Sequence, residues 1–121
     1  NKVKLNDFLV SNPGINISNL SVKKSSLFKV GGFDLDLTIS VDKSIVIKFI
    51  LNNCKSKVCE EVSTIKRFHD NNFTFSKKSK VYLLNLKKFY FKYSHLMTLK
   101  IKLKFLKKYL YFMYYIFIKN V

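Results

Sequence analysis

The predicted fold depends on the stretch Val30-Gly31-Gly32-Phe33-Asp34 and on the apolar segment that follows it from Val41 to Asn53. Two consecutive glycines permit a backbone path with positive φ and let another chain or a ligand approach closely. Residues 25–30, just before them, predict one helical turn with a serine cap that the glycines terminate. Ser40 is the predicted cap of a helix over 41–53, which is expected to be largely buried because little of its surface is polar.

Two further segments of the first part of the chain predict β strands. Between Ile15 and Val22, apolar residues alternate roughly with asparagine and serine, which is typical of a short strand. Residues 57–69 alternate imperfectly between apolar and charged side chains and end at the turn-forming residues 70–72. Strands interspersed with helices indicate that the chain before residue 71 is mixed α/β.

Charge and aromatic content change abruptly near residues 71–76. All seven acidic residues lie at or before Asp70, whereas the 51 residues after it hold 12 Lys and 14 of the 19 aromatic residues. We therefore predict two domains, 1–75 and 76–121, of which the second is a basic, aromatic-rich helical tail. Its predicted helices span 79–93 and 96–118, and the second is marked by apolar residues at steps of three and four. These are Leu96, Leu99, Leu103, Leu106, Leu110, Met113 and Phe117.

Overall composition excludes several classes of protein. A net charge of +16 rules out an acidic solvating tail, and 48% hydrophobic residues are too many for an intrinsically disordered chain. The longest apolar run, residues 109–118, is far shorter than the span of about 20 residues that crosses a bilayer. Two cysteines and no leader favour a reducing compartment, so the expected location is the cytoplasm or the inner face of the membrane. Because residue 1 is Asn rather than Met, we expect a fragment of a longer protein.

In context, the stretch from Ile17 to about Thr74 resembles the family-2 glycosyltransferases, which are inverting enzymes of the GT-A fold. The similarity covers about half of the chain: a small-polar strand, a short helix, the Gly-Gly-Phe-Asp loop, an Asp that opens an apolar helix, and a further strand. The resemblance implies an α/β fold, namely the acceptor-side half of a GT-A-like domain, followed by the basic helical extension. It also implies transfer of a sugar, with inversion, from a nucleotide-sugar donor to a saccharide or lipid-linked acceptor.

The same resemblance assigns roles to residues of the loop and of the helix after it. Asp42 takes the position of the catalytic base, which removes the proton of the acceptor hydroxyl as its oxygen attacks the anomeric carbon. The alternative for Asp42 is a stabilising negative charge at a helix N-terminus. Gly31, Gly32 and Asp34 take positions that line the acceptor side of the cleft. The alternative for them is a tight loop in which Asp34 bonds its own backbone.

Three further side chains take positions near the donor diphosphate. Lys48 stands where these enzymes have Arg and keeps the charge without the bidentate geometry, while Arg67 is placed to neutralise the leaving group. His69 takes the position of a ligand to Mn²⁺ or Mg²⁺ or of a group that hydrogen-bonds phosphate, against the alternative of a solvated histidine. Two departures weigh against activity, since Val41 replaces the usual acidic partner of the catalytic Asp and Ser44 replaces a frequent second Asp.

The half that binds the sugar nucleotide in such enzymes has no counterpart in the sequence. Its metal-binding Asp-x-Asp is missing, since Asp34-Leu35-Asp36 has the spacing but lies inside the acceptor loop. No Walker loop or dinucleotide fingerprint is present, and Cys54 and Cys59 lack the second pair that a zinc site needs. We therefore expect this chain alone to be inactive, and its enzymatic activity depends on a complete parent protein.

The basic tail leaves three interpretations open, ranked in this order. Its helices pack on the core or pair with other helices, or a Lys-flanked apolar helix lies in the headgroup layer of an anionic membrane. In the third interpretation, interleaved Lys and aromatic residues follow a nucleic-acid backbone, although lysine without arginine is poor at base recognition. The last two describe a non-enzymatic binding module, which is the alternative to a glycosyltransferase fragment.

Overall fold

The computed structural model describes residues 4–59, 61, 64–65 and 80–118, and all regular structure in these ranges is helical. The α helices are α1 (Leu5–Val10), α2 (Lys24–Lys29), α3 (Val41–Leu51), α4 (Lys80–Tyr93) and α5 (Leu99–Phe117). Single 3₁₀ turns lie at Ile17–Asn19 and Ser94–Leu96. The chain divides into two compact units, unit 1 (Asn1–Lys66) and unit 2 (Arg67–Val121).

The α/β class predicted for the first part of the chain, and with it the partial GT-A-like fold, is wrong for the described residues, none of which forms a strand. The segment 15–22, predicted as a strand, instead contains the 3₁₀ turn Ile17–Asn19. The Asn19 side chain accepts a hydrogen bond from the N–H of Asn16 (2.8 Å) and donates one to the carbonyl of Gly14 (3.1 Å). Such bonds occupy backbone groups that a strand ladder would use, and no side chain of the segment is buried.

The core of unit 1 forms where α1 packs against α3. Phe8 and Leu9 of α1 are buried, and so are all five residues 43–47 of α3. Five consecutive buried residues cover every side of a helix, so the prediction that this helix is largely buried is confirmed. The helix begins after Ser40, as predicted, but Ser40 has a left-handed φ of 71° and its side chain makes no capping hydrogen bond.

The core of unit 2 is built on the packing of α4 against α5. Phe89 is fully buried, and its ring centroid lies 6.4 Å from that of Phe105 and 4.9 Å from that of Tyr93. Tyr90 adds a second contact to Phe105 at 5.3 Å between centroids. Because aromatic rings bury large apolar areas, this cluster fixes which side of α5 faces α4.

The helices predicted from the sequence are confirmed with shifted ends. α2 and α3 match the predicted segments to within two residues at each end, and α4 ends at the predicted Tyr93. α5 begins at Leu99 rather than at the predicted Leu96. Thr98 caps it by accepting a hydrogen bond from the backbone N–H of Ile101 (3.4 Å). None of the helices described here is both long and apolar enough to cross a membrane.

Several predictions fall partly or wholly outside the described residues. Most of the strand predicted over 57–69 lies there, and its described residues 57–59, 61 and 64–65 have no regular structure. The domain boundary predicted between residues 75 and 76 also lies there, so it stays a prediction.

Candidate functional site

Gly31 and Gly32 follow α2 and terminate it. Gly31 and Gly32 have φ values of 72° and 68°, in the left-handed region that the sequence indicated. The N–H of Gly31 donates to the carbonyl of Phe28 and the N–H of Gly32 to that of Leu27, each at 3.0 Å, which is the Schellman arrangement of helix ends. A Cβ atom added at either glycine would meet no atom within 4 Å. The left-handed backbone, and not a close approach by another group, therefore explains the pair.

Asp34, two residues beyond the pair, is bound to α3. Its carboxylate forms an ion pair with Lys48, whose Nζ lies 2.7 Å from Oδ1, and its Oδ2 accepts a hydrogen bond from the hydroxyl of Ser44. Lys48 Nζ also donates to the carbonyl of Gly32 (2.9 Å). Ser44 and Lys48 are four residues apart and lie on one face of α3, so both reach the same carboxylate. We call these four groups the loop clamp: the Asp34 carboxylate, the Ser44 hydroxyl, the Lys48 ammonium and the Gly32 carbonyl.

The loop clamp includes Asp34 and Lys48, to which the sequence resemblance assigned acceptor and diphosphate binding. The side chain of Asp34 is 6% exposed and that of Lys48 is 20% exposed, so a saccharide or a diphosphate would have to compete with a buried ion pair. Their predicted roles in acceptor and diphosphate binding stay predictions. Sequence reasoning missed the clamp, although the four-residue spacing of Ser44 and Lys48 is a signal that places both on one helix face.

Asp42, the predicted catalytic base, lies half-buried in the first turn of α3. Its Oδ2 accepts a hydrogen bond from Asn12 Nδ2 (2.7 Å), and its Oδ1 accepts one from the N–H of Lys43 (2.8 Å). Asn12 is itself oriented by the N–H groups of Gly14 (3.1 Å) and Ile15 (2.9 Å), which donate to its Oδ1. These contacts suit a stabilising charge at a helix N-terminus, and the catalytic role stays a prediction.

Replacing Asn12 with Ala is expected to lower the free energy of unfolding by about 1–2 kcal/mol. The substitution removes the hydrogen bonds that Asn12 donates to the Asp42 carboxylate and to the Ile15 carbonyl, and the two that it accepts from backbone N–H groups. Urea denaturation followed by circular dichroism measures the loss. The matched control is Asn6→Ala, an exposed change within α1 that should be neutral or slightly stabilising. Equal effects of the two substitutions would contradict a role for Asn12 in orienting Asp42.

The remaining predicted site residues, Arg67 and His69, lie outside the described residues. The structure therefore gives no geometry for a diphosphate or for Mn²⁺ or Mg²⁺ at these positions. Within the described ranges, no three His, Cys, Asp or Glu side chains are grouped so that they could hold a metal ion. Cys54 and Cys59 are free thiols. The predicted cation site stays a prediction from the resemblance alone.

A second candidate site consists of exposed apolar side chains on α5. Five of them are 51–74% exposed and repeat at steps of three, four and seven residues, so they form one stripe, which we call the leucine face. They are Leu99, Leu103, Leu106, Leu110 and Phe117. The buried side of α5 consists instead of Ile101, Phe105 and Ile116. The sequence thus predicted the helix but not the side that packs, and most of the predicted stripe does not pack on a core.

A groove of about 340 Å³ lies between α4 and α5, beside the leucine face. Its walls are apolar and mostly aromatic, with a lysine on each helix. The lining residues are Lys87, Tyr90, Phe91, Lys102, Leu103, Phe105, Leu106 and Tyr109. Such a volume falls in the range of roughly 300–1,000 Å³ that is usual for ligand pockets. The groove could not be found from the sequence, because it depends on which faces of the two helices meet.

Positive charge surrounds both features. Residues 80–118 contain nine Lys and no Asp or Glu. At 3.6 residues per turn, Lys100 and Lys107 flank the leucine face on one side and Lys102 flanks it on the other. The side-chain hydrogen bond with Tyr115 raises the pKa of Tyr111 above its ordinary value. Within residues 80–118, the lysines and the lack of Asp and Glu therefore favour an anionic partner.

Comparison of the chain with protein-family models, with curated proteins and with solved structures finds no match. The resemblance to family-2 glycosyltransferases therefore stays a prediction from the sequence. The polar groups of the loop clamp bind one another, whereas the leucine face presents apolar side chains to solvent beside lysines.

Proposed function

We propose that unit 2 binds the surface of an anionic membrane, with α5 lying in the headgroup layer. The observation that carries this proposal is the leucine face, a continuous exposed apolar stripe with lysines on both flanks. Helices of this composition lie in the plane of the interface, with their apolar side chains below the headgroups and their lysines among the phosphates. The chain then acts as a binding module and not by itself as an enzyme.

The apolar contribution comes from the length of the leucine face. α5 has 19 residues and extends about 29 Å, and the stripe runs from its first residue to its last. Full burial of one leucine or phenylalanine side chain contributes about 1.5–3 kcal/mol. Partial insertion of five such side chains therefore favours binding by several kcal/mol, and salt does not screen this apolar contribution.

The electrostatic contribution comes from the lysines beside the stripe. Lys100 and Lys107 are exposed beside the stripe, Lys104 is exposed farther round α5, and each lysine near an anionic surface contributes about 1 kcal/mol. The attraction falls off within a Debye length, which is about 10 Å at 0.1 M salt and about 3 Å at 1 M. At low salt, the chain should therefore bind anionic vesicles more tightly than neutral ones. The affinity for anionic vesicles should fall as salt is added.

Two other partners fit the leucine face less well. A second copy of the chain could cover the stripe by helix pairing, but it would bring two sets of nine lysines together with no acidic residue in 80–118 to offset the repulsion. A nucleic acid would meet lysines, but the centre of the stripe is leucine, which cannot stack on bases as aromatic side chains do. An anionic lipid surface satisfies both the charge and the aliphatic stripe.

Co-sedimentation with vesicles tests the proposal. The full chain is expected to bind vesicles of phosphatidylserine and phosphatidylcholine at least about tenfold more tightly than pure phosphatidylcholine at about 0.1 M salt. Equal binding to the two vesicle types would contradict the proposal. A shift to dimer in sedimentation velocity without vesicle binding would favour helix pairing. Tight oligonucleotide binding with a steep salt slope and no vesicle binding would favour nucleic acid.

Insertion of the leucine face can be tested separately from the charge, with a variant and a matched control. The double variant Leu99→Asn with Leu110→Asn removes two members of the leucine face that lie outside the groove, and it should weaken vesicle binding by about tenfold or more. Leu35→Asn changes a leucine of unit 1 that is 97% exposed, and it should leave vesicle binding unchanged. Equal affinities of both variants would show that the leucine face does not insert.

A further inference from the structure

We infer that the groove between α4 and α5 holds one alkyl chain of an anionic phospholipid, with Lys87 and Lys102 beside its phosphate. The inference rests on the proposed membrane association, because the lipid comes from the membrane that the leucine face contacts. It adds a bound lipid to what would otherwise be a non-specific surface contact.

The groove is continuous with the leucine face, and this favours a membrane lipid as its occupant. Leu103 and Leu106 belong both to the leucine face and to the groove wall, so the groove opens on the surface that meets the membrane. On α4 the opposite wall includes Phe91, which is 67% exposed although it is large and apolar. A lipid chain lying between these side chains covers apolar groups on both helices that water otherwise contacts.

The charges at the groove suit a phosphate headgroup. Lys87 Nζ lies 6.0 Å from the centroid of the Phe91 ring, so the ammonium group is held at the aromatic wall. Lys102 is half-buried on α5, and a lysine in such a place keeps its stem on apolar surface while its charge reaches water. Lysine is a common phosphate ligand, and residues 80–118, the described part of unit 2, hold no Asp or Glu that could neutralise either side chain.

Titration calorimetry with dodecyl phosphate below its critical micelle concentration tests the inference on the full chain. We expect one molecule to bind per chain, and octyl phosphate to bind at least about tenfold more weakly, because each buried CH₂ changes affinity by up to about fourfold. Dodecanol, which lacks the charge, should also bind more weakly. Full competition by inorganic phosphate, or equal affinity for the octyl and dodecyl compounds, would overturn the inference.

A variant of the groove wall separates this site from the leucine face. Phe91→Ala should weaken dodecyl phosphate binding by about tenfold or more, and it should weaken vesicle affinity by no more than the same factor because all five members of the leucine face remain. The matched control is Leu84→Ala, which changes a side chain on α4 that is 54% exposed and outside the groove, and it should affect neither measurement. Equal dodecyl phosphate affinities of the two variants would overturn the inference.

The two proposals fail in distinguishable ways. Binding to anionic vesicles without binding of monomeric dodecyl phosphate would remove the groove site and leave the membrane proposal intact. Binding of dodecyl phosphate without vesicle binding would contradict the membrane proposal, and it would overturn the inference as stated because the occupant could not then come from a membrane.

Discussion

Replacing Lys100, Lys104 and Lys107 together with Gln is expected to weaken binding to vesicles that contain phosphatidylserine by roughly 30-fold to 100-fold, because Lys100 and Lys107 flank the leucine face and Lys104 lies farther round α5. Each lysine near such a surface contributes about 1 kcal/mol, and about 1.4 kcal/mol corresponds to a tenfold change in affinity. All three side chains are exposed on α5 and outside the groove. Glutamine keeps a long side chain with similar helix propensity, so the helix should persist. Vesicle co-sedimentation at about 0.1 M salt measures the change.

The control for this variant removes the same amount of charge from unit 1. Lys4, Lys23 and Lys57 are exposed, and their joint replacement with Gln lowers the net charge equally. If the position of the lysines on α5 matters, this control should weaken vesicle binding by less than about threefold, because none of these three lysines lies on the helix that carries the leucine face. Equal losses in the two triple variants would show that net charge alone drives binding, and α5 would lose its special role.

The helices could be predicted because their periodicity is a local property of the sequence. In α5, apolar residues recur at steps of three and four over the whole of Leu99–Phe117, and this long pattern outweighs the alternation of residues 99–105. The prediction of a strand between residues 15 and 22 is wrong because alternation of apolar and polar residues does not by itself provide a second strand to pair with. There, asparagine side chains bond nearby backbone groups and form a 3₁₀ turn.

The packed side of α5 could not be predicted from its own sequence. The leucine face and the stripe that includes Ile101 and Phe105 both follow a helical period, so the pattern of α5 offers two apolar sides. The choice depends on the rings of Phe89 and Tyr90 on α4, which contact Phe105. Contacts of this kind join residues of different helices, and a single sequence does not show which side chains meet.

The motif Val30-Gly31-Gly32-Phe33-Asp34 likewise has one feature that is local in sequence and one that is not. The left-handed backbone at Gly31 and Gly32 could be predicted, because glycine tolerates positive φ where other residues are strained. The ion pair of Asp34 with Lys48 joins residues 14 positions apart and depends on the path of the loop between them. The resemblance to a sugar-transferring family placed these residues in a cleft, whereas the structure binds them to each other.

Replacing Asp34 with Ala is expected to lower the free energy of unfolding of unit 1 by about 2–4 kcal/mol. Removing one partner of a buried ion pair costs about 3–5 kcal/mol because the other charge stays behind, and the 20% exposure of Lys48 reduces this cost. In a unit of this size the loss lowers Tm by roughly 15–30 °C. Far-ultraviolet circular dichroism reports on both units, while tyrosine fluorescence reports on unit 2 alone because all seven Tyr lie between residues 82 and 115. A circular dichroism shift larger than the fluorescence shift assigns the loss to unit 1.

A double-mutant cycle distinguishes the ion pair from a general packing effect. Lys48→Met alone should destabilise unit 1 by about as much as Asp34→Ala, because it leaves a carboxylate that is 6% exposed with Ser44 as its remaining clamp partner. The double variant leaves neither charge buried, so its loss should be smaller than the sum of the single losses by about 2 kcal/mol. Asp7→Ala, at an exposed aspartate of α1, should cost less than about 1 kcal/mol. Additive losses in the cycle would show that Asp34 and Lys48 act independently, and the loop clamp would then not explain why this motif folds onto α3.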